Sequence, residues 1–270
     1  NGTEVIFSSG FEKPYYIAMV FHSFIQDGSW IEPKEVPVER SIFHRPVLSP
    51  DGEKLFFISS KADKNSDIVF IYFIEKTDNG WSEPKKLDLG TEFPYSCSQV
   101  SIANSGNIYF QAGYHIYGNE DIYISRFEGG KYLTPEKLSN KINSPGHELH
   151  PCISPDESFL IFDTDREGGF GKNDLYVSFY NKDCGWSSAK NIGKIVNTEQ
   201  DERRSSLSSD GKFLFFESSI LNKTSQLPEK TLTLQEFCNY ASSYKNGSTN
   251  IYWVDAKIIE ELKKNNLKID

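Results

Sequence analysis

Short apolar runs alternate with tight-turn residues along the whole chain. Four segments align on this pattern: RPVLSPDGEKLFFISS from Arg45, QVSIANSGNIYFQAG from Gln99, HPCISPDESFLIFDTD from His150 and RSSLSSDGKFLFFESS from Arg204. The opening NGTEVIFSSG is the same unit without its first run. The turn residue falls at Asn1, Asp51, Ser105, Asp156 and Asp210, in steps of 50, 54, 51 and 54 residues. A second landmark follows each turn: YYIAMVFHSFIQDGSWIEPKEV from Tyr15, DIVFIYFIEKTDNGWSEPKKL from Asp67, DIYISRFEGGKYLTPEKL from Asp121 and DLYVSFYNKDCGWSSAKNI from Asp174. The fifth copy, NIYWVDAKIIEELKK from Asn250, ends without the turn.

Each unit reads as strand, tight turn, strand, loop, strand, tight turn, strand. Asp-Gly turns suit hairpins because Gly accepts positive φ. Runs of about four to seven β-branched and aromatic residues suit strands. Four antiparallel strands in a repeat of about 50 residues predict a propeller blade. The chain is therefore expected to be all-β: one five-bladed β-propeller domain over residues 1–270, with repeats starting near 1, 44, 98, 149 and 203. A β-sandwich has similar turns but does not repeat one composite motif five times. The first blade lacks its innermost strand and the last its outermost. That gap would leave strand edges open, so the chain is expected to be a fragment of a longer precursor. Residues 258–268 predict a short C-terminal helix, with Ile258, Ile259 and Leu262 on one apolar face against the last blade.

Composition changes this picture little. Aromatics reach 14%, dominated by Phe and Tyr, as strands favour. The net charge of −9 comes without a basic stripe, which argues against nucleic acid as a partner. No apolar run is long enough to span a membrane. Four cysteines, Cys97, Cys152, Cys184 and Cys238, match no zinc spacing and are too sparse for a disulfide framework. Cys97 and Cys152 open neighbouring innermost strands, and a disulfide between them is one expectation. Asn1, Asn222 and Asn246 stand in N-x-Ser/Thr triplets, a match that chance often produces.

The SPDG turn, the FF or IF strand, the D-I-Y strand and the G-W-x-x-P hairpin resemble TolB-type, WD-like propeller repeats. With DREGGFGKNDLYVSF and NIYWVDAKIIEELK, the chain is similar over nearly its whole length to envelope propeller proteins of Bacteroidetes. The resemblance implies a periplasmic or secreted setting, although no signal segment is present in the sequence. It also implies that an N-terminal segment supplies the missing strands, and that the insertion in the last blade is ordered. It does not fix an activity, because propellers host many functions.

The meander places function on one face. The A–B and C–D turns are short and uniform, whereas the D–A connections and B–C loops on the opposite face vary. Variable loops on a rigid scaffold are where binding usually sits. That face is expected to carry His44, Arg45, Ser98, Gln99, His147, Glu148, His150, Asp201, Glu202, Arg203 and Arg204 at the channel mouth. Tyr114, His115 and Tyr117 lie on a B–C loop. The largest feature is the insertion 220–249, where TLTLQEFCNYASSY (231–244) predicts a short helix capped by Thr233 with Glu236 three residues on. It is expected to be a lid, a packed decoration or a disordered loop.

Three chemistries were weighed there. His44, Gln99, His147 and His150 form a candidate metal set, since imidazole suits Mn, Fe or Zn; propeller-based oligogalacturonate lyases, whose scaffold these repeats resemble, hold a divalent ion with His and Gln. Solvated or hydrogen-bonded histidines are the plainer reading. Glu148, with Asp201, Glu202 and His150, is a candidate catalytic carboxylate for glycoside chemistry, which needs two carboxylates about 5 to 9.5 Å apart; carboxylates paired with Arg203 or Arg204 are the plainer reading. Asp163, Asp165 and Asp174 in the Gly-rich DREGGFGKND loop are a third candidate, for a cation. The recurrent Asp67, Asp121, Asp174 and Asn250 read as structural, bonding backbone in the loop. The recurrent Trp30, Trp81, Tyr132 and Trp186 read as packing residues. No organic cofactor is implied.

The leading expectation is a non-catalytic binding or scaffold propeller that presents its loop-rich face to a protein or glycan. Arg45, Gln99, Tyr114, His115, Tyr117, Phe170, Arg203, Arg204 and Tyr240 are its contact residues, since aromatics and Arg concentrate binding energy. The alternatives are a carbohydrate-active enzyme, either a metal-assisted polyuronide lyase or a glycoside hydrolase with its site at the channel mouth, and a structural propeller inside a larger assembly.

Overall fold

The computed structural model describes residues 4–11, 17–36, 38, 45–59, 68–78, 80–90, 93, 95–113, 120–220, 233–236 and 249–266. They form five antiparallel sheets arranged in a ring, a five-bladed propeller. Blade one contains Glu4–Phe11, Ile17–Gln26 and Lys34–Glu35. Blade two runs Val47–Leu48, Lys54–Ser59, Phe70–Thr77 and Lys85–Lys86. Blade three runs Ser96–Ile102, Ile108–Gly113, Asp121–Ser125 and Glu136–Lys137. Blade four runs Glu148–Ile153, Phe159–Thr164, Asp174–Asn181 and Lys190–Asn191. Blade five holds Glu202–Leu207, Phe213–Ser218 and Asn250–Asp255. Among the described residues, Glu4–Phe11 has no strand inside it and Asn250–Asp255 none outside it. In blades one to four the outermost strand is only two residues long.

The helix Lys257–Asn266 follows the last strand. Ile258, Ile259 and Leu262 pack into the core between blades four and five, as their spacing predicts. Inside the insertion, 234–236 makes a helical turn. Thr233 Oγ1 accepts the Glu236 N–H, and the Glu236 carboxylate accepts the Thr233 N–H at 2.8 Å, the reciprocal capping the sequence predicted.

The hairpin turns repeat one device. Asp51 Oδ1 accepts the Glu53 N–H and the Ser49 hydroxyl, while Ser49 Oγ accepts the Lys54 N–H. Ser208, Asp210 and Lys212 repeat it in blade five. These local bonds satisfy turn backbone that the strands leave unpaired.

The core lies between blades. Four clusters join blade one to two, two to three, three to four and four to five. Trp81, Tyr132 and Trp186 each lie against the cluster shared with the preceding blade. Tyr132 meets Phe56 edge-on at 6.4 Å, and Trp186 meets Tyr109 at 6.2 Å. Trp30 departs from the expected packing role: it is 52% exposed. Its preceding blade is blade five, and no core cluster among the described residues crosses that junction. The face of blade five turned away from blade four leaves Ile251 71% and Trp253 61% exposed.

Cys97 and Cys152 are both buried and free, which corrects the expected disulfide. They sit in different inter-blade clusters. Burial pushes their thiols up to about 12 and about 11.

Candidate functional site

The inner strands share an uncommon backbone feature. Arg45, Gln99, His150 and Arg204 occupy equivalent positions and have φ of 40°, 33°, 47° and 50°. Left-handed φ is uncommon outside Gly and costs on the order of 1 kcal/mol per residue. In blades three, four and five this position lies in a register break, between Ser98 and Val100, Leu149 and Cys152, and Arg203 and Ser206. Such bulges re-aim a side chain.

A second repeated feature fixes these strands against each other. The N–H two residues before the bulge residue donates to the preceding blade: Cys97 to Val69 O, Glu148 to Glu120 O and Glu202 to Asn173 O. Glu120 is thereby held beside the inner strand of blade four.

The result is a cavity of about 230 Å³ at the axis. Arg45, His150, Arg203 and Arg204 line it, with Gln111 and Glu120 on one wall and Ile58, Val69 and Leu149 supplying apolar surface. The residues lie at the starts of inner strands, so the cavity opens on the face of the D–A connections and B–C loops. His150 is 5% exposed, and its Nδ1 lies 2.9 and 3.0 Å from the two oxygens of fully buried Asp163. Since a carboxylate only accepts, Nδ1 is the donor in this pair. The His150 N–H donates to Gln111 Oε1 at 3.1 Å, and the Arg204 N–H to Asp163 Oδ1 at 3.1 Å.

Arg45 donates to Ser98 Oγ at 2.8 Å. Burial, and then the nearby Arg204, lower its pKa to about 10. Arg204 itself pairs with Glu217 at 2.6 Å, and Arg203 with Asp201 at 2.7 Å. Burial raises the Glu120 pKa above the usual carboxylate range, against the opposing effects of Gln111, His147, His150 and Arg45.

The structure thus brings together Arg45, His150, Arg203 and Arg204 from the sequence-predicted set. Gln99 shares their backbone conformation but does not line the cavity. Phe170 lies apart, in a groove with Lys194 and 198–200, where the Lys194 ammonium sits 5.4 Å from the ring centre. His44, Tyr114, His115, Tyr117 and Tyr240 lie outside the described residues, as do Asn1, Asn222, Asn246 and Cys238.

Glu148, the candidate catalytic carboxylate, is fully buried away from the cavity. It accepts bonds from the Ser144 N–H and hydroxyl, from Thr164 Oγ1 and from Arg166. Glu202 does the same with Thr198 and Ser218. Of the candidate metal set, His44 lies outside the described residues, and the two described histidines sit on separate carboxylates. His147 Nδ1 is held by Asp165 at 3.0 Å and His150 by Asp163, each on its own partner. Among the described residues no group of three His, Cys, Asp or Glu side chains converges. The aspartates of the Gly-rich loop also diverge: Asp163 serves His150, Asp165 serves His147, and Asp174 accepts the Phe170 and Gly171 N–H groups. Asp174 and Asp121 act structurally, the latter pairing with Lys137 at 2.6 Å.

Sequence reasoning missed Asp163 as the partner of His150, and Gln111 and Glu120 as wall residues. It also missed the repeated Asn143-Ser144-x-x-x-Glu148 and Asn197-Thr198-x-x-x-Glu202, whose offset of 54 residues was available as a signal.

The sequence matches no protein-family model and no curated protein. Solved structures share the fold at low identity. TolB from Acinetobacter baumannii aligns with a TM-score of 0.58 at 17% identity, over 94% of this chain and 51% of that one. The chain therefore spans about half the length of that TolB. A chain of a nidogen/laminin complex aligns at 0.53 and 8% identity, over 81% of this chain and 71% of that one. An α-L-arabinofuranosidase from Lactobacillus brevis aligns at 0.53 and 14% identity, over 83% and 82%. No helix among the described residues is long and apolar enough to cross a membrane.

Proposed function

We propose that this chain is a binding propeller that presents its channel-mouth face to a protein or glycan partner at the cell envelope. One observation carries the reading: four inner strands adopt the same costly left-handed conformation, and three of them put Arg45, His150 and Arg204 around one axial cavity. Hairpin turns on the opposite face bond their own backbone. Arg203, Arg204 and Phe170 supply exposed charge and aromatic area for contact. The periplasmic or secreted setting rests on the resemblance of the repeats.

The fold alone does not choose between binding and catalysis, since its neighbours include both a chain from a protein complex and a glycosidase. A second reading, a carbohydrate-active enzyme, is favoured by the buried Asp163–His150 pair beside the cavity, since a carboxylate-oriented imidazole is a common general base.

The test is a glycan array and a partner pull-down with the wild-type chain, with Arg203→Ala/Arg204→Ala, and with Lys212→Ala on the opposite face. The reading expects captured glycan or protein to be lost in the double variant and retained in Lys212→Ala. Retention in both would contradict it. Turnover of a captured glycan that His150→Gln abolishes would establish the second reading instead.

A further inference from the structure

Arg45 stands out among the charged groups of the cavity. It gives one N–H to Ser98 Oγ, and among the described residues no carboxylate lies within ion-pair distance of it. Each acid near it is already engaged. Glu217 holds Arg204, Asp163 holds the His150 ring, and Glu120 is hydrogen-bonded to Gln111 in an environment that disfavours its ionised form. A guanidinium has five donors in a planar fork that matches a carboxylate. Burial and Arg204 both work against its charge, while Glu120, Asp163 and Glu217 support it from beyond ion-pair distance, so among the described residues it is a buried cation without a direct ionic partner.

His150 adds the opposite polarity. Its Nδ1–H donates to Asp163, which leaves Nε2 as the acceptor nitrogen of the neutral tautomer. One wall thus donates to an anion, and another accepts from a hydroxyl. Leu149, Ile58 and Val69 give a C–H surface between them. At about 230 Å³ the cavity lies below the range of roughly 300–1,000 Å³ for drug-sized ligands, which suits a single small unit.

We propose that the axial cavity binds a small carboxylate that carries a nearby hydroxyl group. Arg45, with Arg204 at the rim, takes the carboxylate, and His150 Nε2 accepts the hydroxyl proton. The inference deepens the binding reading of the same face and rests on it.

Calorimetric titration of the whole chain with gluconate, acetate and glucose tests it. Gluconate is expected to bind saturably, acetate about tenfold more weakly, and glucose not at all, because the charge-assisted pair carries more of the affinity than the neutral bond. Arg45→Gln, with an unchanged circular dichroism spectrum, is expected to weaken gluconate by about tenfold or more. His150→Gln is expected to bring gluconate down to the level of acetate. Should that variant fail to fold around the orphaned Asp163, Arg45→Lys carries the test: it keeps the charge, loses the fork and is expected to weaken gluconate severalfold. Gluconate binding that is absent in the wild type, unchanged in a folded Arg45→Gln, or matched by glucose would overturn the proposal. If gluconate gives no saturable heat while a partner captured in the pull-down still depends on Arg203 and Arg204, this inference fails and the binding reading stands.

Discussion

His147 and His150 stand three residues apart on the same strand entrance, and their surroundings separate them. His150 is buried on Asp163; His147 is partly exposed on Asp165, whose carboxylate raises its pKa chiefly through their hydrogen bond. Asp165 is held below its usual range by hydrogen bonds from the His147 backbone and ring, which outweigh burial. The sign of the linkage follows. The raised His147 contributes stability that is fully present below about pH 6.5 and is lost as pH rises through its folded-state pKa. The depressed Asp165 contributes above about pH 4, and loses its share as pH falls through its folded-state pKa. His147→Gln should therefore cost most stability between about pH 4 and 6.5, and least at pH 9, in urea melts at each pH. An equal cost at all pH values would show that the pair is only a packing contact. Sequence alone showed these histidines and arginines clustering before each inner strand. It did not show Asp163 behind His150, because that contact depends on strand register, nor the left-handed φ, because only Gly and Asn announce it.

In the connections that leave blades three and four, single side chains stand in for backbone. Asn143 Oδ1 accepts the Ile122 N–H, and its Nδ2 donates to Ile122 O and Leu138 O. Asn197 repeats this on Leu175 and donates also to Asn191. Both clamps are buried, so truncating Asn197 orphans the Leu175 N–H, while Leu175 O keeps the Ile192 N–H and Asn191 Oδ1 keeps the Gly193 N–H. Asn197→Ala is expected to cost about 1–3 kcal/mol in denaturant melts, the penalty for one orphaned buried group, and Asn197→Asp to recover the Leu175 N–H bond. A loss under about 0.5 kcal/mol would mean that water replaces the clamp. The strand and hairpin order was legible because its turn residues recur at a fixed spacing. The outermost strands were read as full strands because the G-W-x-x-P hairpin looks extended, yet only two residues pair in each. Glu148 was read as chemistry for a similar reason: a carboxylate beside a loop is ambiguous until its bonds are known.

At the scale of the whole molecule, the repeat predicts an aromatic packed on each preceding blade, and three of four obey. Trp30 does not, and the blade-five face that would meet it carries exposed Ile251 and Trp253. Packing between neighbours dominates the stability of repeat architectures, so blades one and five are expected to open first. Tryptophan variants that retain only Trp30 or only Trp253 should show red-shifted emission and strong acrylamide quenching, whereas one retaining only Trp186 should be shielded. Amide exchange should be fastest in Glu4–Phe11 and Asn250–Asp255 and slowest in Ile108–Gly113 and Phe159–Thr164. Uniform protection around the ring would show a fifth packed junction. The ring brings the inner strands of blades two to five around one cavity, which is why the proposed binding site is placed there.

The central claim is that Arg45 is kept at the channel mouth for a ligand and against stability. The measurement is a pair of melts and titrations on Arg45→Gln beside the wild type. Without ligand, removing a buried charge that faces Arg204 should raise the melting temperature by roughly 2 °C or more. The same change should weaken gluconate binding by about tenfold or more. A variant that melts lower and binds as tightly as the wild type would contradict the account, because Arg45 would then be a structural residue.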